Sequence, residues 1–278
     1  MPLAFDDFDL RQVEEGIAGT SFHGRLLHFP SVGSTNQLAL EAAQSGARAG
    51  VWVADEQTAG RGRGDHTWHS AAGDGLYVSL LVAPPIPLEF ARKIPLAVGL
   101  ATQAAVLEQT GLTLDLRWPN DLMFADRKCG GILVESASEP APPEWLSSLG
   151  PALRYAVIGI GLNVNHAQFP PPLSALATSL FLESDRHYDR EPLLAALLRH
   201  MDAEMAELRN SWLGASSKQT LHQRFAAAST WVSGKRVKVD EQGGYTGTTR
   251  GLDHHGFLQV LGDDGIVRTV LSGGVRSA

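Results

Sequence analysis

The stretch Gln57-Thr58-Ala59-Gly60-Arg61-Gly62-Arg63-Gly64, followed by Trp68, places two guanidinium groups on alternate positions between glycines. Glycine frees φ and lets backbone N–H groups come close to a ligand, while arginine offers a fixed fork of donors matched to phosphate or carboxylate. The pattern predicts a mobile loop that closes over an anion. Glycine-arginine tracts also occur in RNA-binding tails, but those are long and repetitive. Here a single copy lies between two strand-like runs, Val51–Ala54 and Leu76–Val82, which favours the enclosed anion.

Outward from the loop, strands and helices alternate. Leu26–Phe29 reads as a strand ending at Pro30, and Ser34-Thr35-Asn36-Gln37 has the S-x-x-Q form of a capping box before a helix with Leu38, Ala42 and Ala43 on one face. Trp68–Val82 reads as a hairpin turning at Gly73-Asp74-Gly75. Leu96, Leu100, Ala104 and Leu107 recur at helical spacing up to Gly111, a C′ stop. Leu112–Trp118 alternates at period two, and Gly131–Glu135 and Ala156–Val164 are further apolar runs of strand type. The Pro- and Ser-rich Glu139–Pro151 reads as a surface excursion, and Leu194 through Trp212 as a long amphipathic helix. From Trp231 onward, short alternating runs separated by glycine turns predict a small all-β barrel. These signals divide the chain into a short segment over residues 1–25, a main domain over 26–228 and a β domain over 229–278.

The 278 residues, 44% hydrophobic and 19% charged, are ordinary for a globular protein. A net charge of −7 argues against a general nucleic-acid binder. The single cysteine, Cys129, excludes an intramolecular disulfide and suits a reducing compartment. With no signal-peptide pattern at the N-terminus and no apolar run of spanning length, the sequence points to a cytoplasmic protein without a membrane partner.

Three further segments carry candidate chemistry. Arg117-Trp118-Pro119-Asn120-Asp121-Leu122 ends a strand with two polar side chains set by a proline. Lys128-Cys129-Gly130-Gly131-Ile132-Leu133 puts a cation at the mouth of the next strand, beside glycines that leave room for a ligand, and Gly159-Ile160-Gly161-Leu162-Asn163 offers an amide in a similar setting. In this order, together with Ser34-Thr35-Asn36 and the glycine-arginine loop, they closely resemble the biotin protein ligases. The tail, with Gly251-Leu252-Asp253 and Leu271-Ser272-Gly273-Gly274, resembles that family's C-terminal domain, and the resemblance runs from about Leu26 to Ser277.

The resemblance implies an α+β fold: a mixed, largely antiparallel sheet backed by helices, related to class II aminoacyl-tRNA synthetases, with a small SH3-like β-barrel at the C-terminus. It implies a two-step ligase using ATP and Mg²⁺. Biotin is activated to biotinoyl-5′-AMP and passed to a lysine of a biotin carboxyl carrier domain, as in acetyl-CoA carboxylase. Carried over by resemblance, Ser34, Thr35, Asn36 and Gln57 would line the biotin end, with Gly62, Arg63 and Gly64 along the junction with phosphate. Arg61 and Lys128 would neutralise the α-phosphate and the attacking carboxylate. Trp68 would border adenine, and Asn120, Asp121 and Asn163 would serve the nucleotide, Asp121 also its Mg²⁺. Only about twenty-five residues precede the first matching strand, too few for a three-helix DNA reader, so the expected form is monofunctional and has no DNA partner.

Two departures stand out. Gly64-Asp65-His66 replaces the further arginines usual in the family's loop, and Arg117 stands where lysine is usual. The rival readings are a lipoate protein ligase, which lacks the Trp-Pro-Asn-Asp-Leu signature, and a non-catalytic nucleic-acid-binding module, which the acidic balance opposes. A zinc site built on His66 and His69, or on His254 and His255, has no further partners at ligand spacing.

Overall fold

The computed structural model describes residues 8–64, 66–139, 151–215, 218–241 and 243–278. In chain order its elements are α1 (Leu10–Gly16), β1 (Leu26–Phe29), α2 (Thr35–Gln44), β2 (Gly50–Ala54), β3 (Gly75–Val82), α3 (Leu88–Ala91), α4 (Ile94–Thr110), β4 (Asp115–Arg117), β5 (Asp121–Phe124), β6 (Arg127–Glu139) and β7 (Ala152–Asn163). There follow α5 (Leu180–Ser184), α6 (Arg190–Trp212), α7 (Leu221–Ala227), β8 (Ser233–Val239), β9 (Tyr245–Leu252), β10 (Leu258–Gly262), β11 (Val267–Val270) and β12 (Val275–Ser277).

Seven strands form one sheet in the order β1-β2-β3-β7-β6-β5-β4. Only the β1–β2 pair is parallel; the other neighbours run antiparallel. Period-two alternation sorts the side chains onto two faces. Val51, Val53, Val78, Leu80, Ile158 and Ile160 join the main buried cluster with α4 and α6. Trp52, Leu81, Tyr155 and Val157 point the other way, onto Ala39 and Ala43 of α2. By the same alternation Gly131, Leu133, Glu135, Gly159 and Gly161 share the α2 face, since Gly131 pairs with Gly161, Leu133 with Gly159 and Glu135 with Val157. Small residues there leave the sheet surface low beside the N-terminus of α2.

A second sheet, order β11-β10-β9-β8-β12, is antiparallel throughout. The chain is therefore α+β, with a mostly antiparallel main sheet and a small second sheet at the C-terminus. The two share one buried cluster, in which Val237 and Leu258 accompany Leu96 and Leu116, and the Trp118 indole N–H donates to the Gly256 carbonyl at 2.9 Å. Among the described residues no helix is long and apolar enough to cross a membrane.

Several sequence expectations need correcting. The Trp68–Val82 hairpin does not form: β3 pairs with β2 and β7, and the residues before it are irregular. The Leu112–Trp118 run yields only the three residues of β4. In α4 Leu96 is buried with Ile94, Ala97, Val98, Ala101 and Ala105, but Leu107 is 48% exposed. Four helices lie where none was expected, α1, α3, α5 and α7; Thr220 and Gln223 make the reciprocal capping box of α7. The predicted excursion after Glu139 falls largely outside the described residues.

Candidate active site

A cleft opens on the α2 face of the main sheet. One wall comes from the start of α2. Ser34 is the N-cap in extended backbone (φ −157°), yet its side chain makes no capping hydrogen bond, and its buried Oγ has no partner. The capping box predicted by S-x-x-Q is absent because Gln37 turns outward and donates to Glu41 (2.9 Å). The Ser34 hydroxyl is thereby left for an occupant of the cleft; a buried polar atom without a partner is rare enough to call for one.

From there a polar chain crosses the floor. The Thr35 backbone N donates to Gln57 Oε1 at 2.9 Å, and Gln57 Nε2 donates to Ser70 Oγ at 3.1 Å. Thr35 Oγ1 lies 2.8 Å from Ser79 Oγ, which donates to Asn36 Oδ1 at 2.6 Å. Asn36 Nδ2 in turn donates to Glu135 Oε2 at 2.9 Å. A Cβ on Gly159 would stand 2.9 Å from Asn36 Cγ, so the glycine makes room for that amide. Ser79 and Glu135 were not singled out by sequence; the one signal for Glu135 is a carboxylate ending the apolar run from Gly131.

The glycine-arginine loop forms a tight hairpin with hydrogen bonds of its own: Gly62 N to His66 O (2.7 Å) and Trp68 N to Gly60 O (2.9 Å). Gly60 is required for this closeness, since a Cβ there would lie 2.5 Å from the Trp68 carbonyl. Arg61 reaches the sheet and binds Glu135 with both ends of its fork, at 3.1 and 3.0 Å. Arg63 lines the cleft and extends toward the second sheet, where a Cβ on Gly273 would come within 2.8 Å of its Nη1. No ion pair holds Arg63 among the described residues. Gly64, at φ 64°, turns the hairpin and does not line the cleft.

Lys128, on β6, points its Nζ at Asp121 Oδ1 (2.5 Å) and over the Trp68 ring, 5.4 Å from the centroid. Asp121 Oδ2 accepts from Arg117 Nε (3.0 Å) and Nη2 (2.6 Å). Burial alone would raise the Asp121 pKa, but Lys128 and Arg117 outweigh it and hold the carboxyl below its ordinary value. Both Asp121 oxygens are thus bound by cations, Oδ1 by Lys128 and Oδ2 by Arg117. Among the described residues no group of three or more His, Cys, Asp or Glu could hold a metal.

Trp68 lies flat against β7 and β6: a Cβ on Gly161 would come 2.5 Å from its Cε2, and one on Gly131 would lie 3.3 Å from its Cζ3. These glycines seat the chain's own indole and also line the cleft. The buried Trp68 Nε1 has no partner. Asn120 borders the cleft with its amide spent on the Ile132 carbonyl (2.9 Å). Asn163 is not brought to the cleft. It is buried, and its Nδ2 donates to the Thr178 carbonyl at 2.9 Å, a structural bond across the base of α5.

Of the expected site residues, Ser34, Thr35, Asn36, Gln57, Arg61, Gly62, Arg63, Trp68, Asn120 and Lys128 line this one cleft. A second cavity adjoins it, sharing Arg63, Asn120, Ile132 and Leu133 and reaching Phe257 and Leu271, which flank β10 and β11. Neutral donors at one end and cations at the other define a site for a small anionic molecule.

A sheet and cleft of this kind belong to a known class. The profile of the Biotin/lipoate A/B protein ligase family matches residues 28–142. A biotin–[acetyl-CoA-carboxylase] ligase of Mycobacterium tuberculosis is 30% identical over 259 residues, covering 90% of this chain and 88% of that protein. The bifunctional ligase/repressor BirA of Bacillus subtilis is 35% identical over 176 residues, 62% of this chain; the match spans about half, 51%, of that relative's length. The structure of a biotin protein ligase from Aquifex aeolicus in complex with biotin and ATP superposes with a TM-score of 0.72 at 26% identity, covering 92% of this chain and 100% of that one. The chain belongs to the biotin protein ligase family.

Proposed function

We propose that the chain is an ATP-dependent biotin–protein ligase. In the first step an oxygen of biotin's carboxylate attacks the α-phosphorus of ATP. A new P–O bond forms, the bond to the β-phosphate oxygen breaks, and biotinoyl-5′-AMP and pyrophosphate result. In the second step a lysine amine attacks the acyl carbon, AMP leaves with the bonding pair, and the amine's proton passes to solvent. The lysine would belong to a biotin carboxyl carrier domain of acetyl-CoA carboxylase or a related biotin-dependent carboxylase, and the reaction would run in the cytoplasm. Residues 26–228 would carry the chemistry and residues 229–278 the SH3-like unit.

The observation that carries this reading is the convergence of Arg61, Arg63 and Lys128 on one cleft whose other end offers Ser34, Thr35 and Gln57. A carboxylate is ionised at neutral pH, so the first step needs no general base. What it needs is two anions held together, and fixed cations supply that without reorganising. Neutral hydroxyl and amide groups suit the ureido end of biotin, and the indole of Trp68 offers a flat surface for adenine. Mg²⁺ enters in this reading as part of the substrate MgATP.

The test is pyrophosphate exchange into ATP with biotin, with lipoate and with no acid. Biotin alone should support it, and Lys128→Ala should lose about 100-fold or more, the scale of one missing oxyanion-type contact. Exchange driven by lipoate, or full activity in Lys128→Ala, would overturn the reading.

A further inference from the structure

Glu135 touches both ends of the cleft at once. Its two carboxylate oxygens accept from Arg61 Nη1 and Nη2, and Oε2 also accepts from Asn36 Nδ2, whose Oδ1 is fixed by Ser79. Between Gly60 and Gly62, Arg61 has no bulky neighbour to anchor it. The base of the loop is tied down by Thr58 N to Val32 O and Ala59 N to Gly33 O. Beyond that, Glu135 is the only ion-pair partner of Arg61 among the described residues. The end-on pair uses one N–H on each Nη and leaves the other guanidinium donors for an anion.

We propose that Glu135 is a positioning residue of the adenylation site, holding Arg61 and the Asn36 amide in working position before substrate arrives. The proposal rests on the ligase function given above. A competing effect has the opposite sign. If Glu135 merely masked the charge of Arg61, removing its carboxylate would tighten anion binding. The pair is partly exposed, with side-chain exposures of 42% and 27%, so the Coulombic gain from unmasking is screened. Loss of the preset geometry should dominate.

Glu135→Gln keeps the side chain's size and one accepting oxygen. It should be compared with Arg61→Ala and with the double variant, each in the full chain. In the substrate-free protein, trypsin should cleave after Arg63 about fivefold faster in Glu135→Gln, the factor matching about 1 kcal/mol. In pyrophosphate exchange the KM for biotin should rise about fivefold with kcat within about twofold. The double variant should lose less than the two single variants together, because Glu135 acts in part through Arg61 and in part through Asn36. Unchanged cleavage together with unchanged KM, a lowered KM, or full additivity in the double variant would each overturn the proposal. If the wild-type protein shows no biotin-dependent exchange, the ligase reading fails, and the cleavage arm alone decides whether Glu135 holds the loop. A lower melting temperature without a change in cleavage or KM would mark Glu135 as a stabilising residue only.

Discussion

Replacing Asp121 by asparagine should cripple adenylation without touching the substrate's side of the cleft. Asp121 is the single anion between two cations, 2.5 Å from Lys128 Nζ and 2.6 Å from Arg117 Nη2. At an effective dielectric of about 20, each contact near 3 Å corresponds to about 5 kcal/mol of Coulomb energy. Lys128 is 33% exposed, and solvent screening together with desolvation reduces the net to about 2–3 kcal/mol. Asparagine keeps the shape and one oxygen but loses the charge, so Lys128 and Arg117 repel and Lys128 leaves its place over Trp68. A displacement worth about 2.7 kcal/mol is about 100-fold in rate. The assay is biotin-dependent pyrophosphate exchange over a Mg²⁺ titration. A counter-ion role predicts the same deficit at every Mg²⁺ concentration, whereas a metal-ligand role predicts recovery at high Mg²⁺. Such recovery, or wild-type activity in Asp121→Asn, would refute the reasoning. The folded pKa of Asp121 lies below its ordinary 3.8. Its stabilising charge is therefore complete above that value and is lost only as pH falls through the lower folded one, so neutral-pH assays see it fully ionised.

Gly161→Ala should push the indole of Trp68 off β7, because a Cβ would lie 2.5 Å from Cε2 of a rigid ring; the KM for ATP should rise about tenfold with a shift in tryptophan emission, and an unchanged KM would mean that Trp68 does not face the nucleotide. His166 is 1% exposed, and burial, aided by the charge of His69 and opposed by a hydrogen bond to the Asp74 backbone, lowers its pKa from 6.5 to about 4. Between those values the unfolded chain takes up a proton that the folded chain refuses, so stability is full above pH 6.5 and should fall by about 2–3 kcal/mol as pH drops to 4. Urea melts across that range should show the slope in the wild-type protein and a flatter one in His166→Phe; identical slopes would assign the effect elsewhere.

What sequence could and could not reveal divides along a physical line. The glycine-arginine loop, Trp118-Pro119-Asn120-Asp121 and Lys128 were legible because their chemistry lies in residue type and short-range spacing. The C-terminal strands were legible because alternation and glycine turns are local signals, apart from the three residues of β12. Ser34 matched a local helix signal, yet its hydroxyl faces a cleft assembled from β3, β6 and β7, and tertiary position overrode the cap. Asn163 looked like a ligand amide because it follows a glycine run, but its partner, the Thr178 carbonyl, is 15 residues away. The glycines after Lys128 signal room for a ligand, and Gly131 does line the cleft together with Gly159 and Gly161. That Lys128, Asn36 and Trp68 also lie over these three glycines follows from the register of β6 on β7, which sequence does not show. Glu135 escaped notice because its partners, Asn36 and Arg61, lie 99 and 74 residues away.

These pairings give the cleft a particular electrical design. Arg61 is balanced by Glu135, while Lys128 and Arg117 share Asp121, so positive charge remains in excess there, and Arg63 has no ion-pair partner among the described residues. If catalysis depended on the amount of positive charge alone, both carboxylates would be liabilities, and Glu135→Gln and Asp121→Asn would each improve the binding of two anions. If it depends on where the cations stand before the anions arrive, both substitutions should do harm despite raising the net charge, because unanchored cations must first be brought back into position. Arg63 supplies the contrast. With no carboxylate among the described residues to anchor it, and placed where the two cavities meet, it can follow the substrate, so its loss should weaken binding of the adenylate more than it slows adenylate formation.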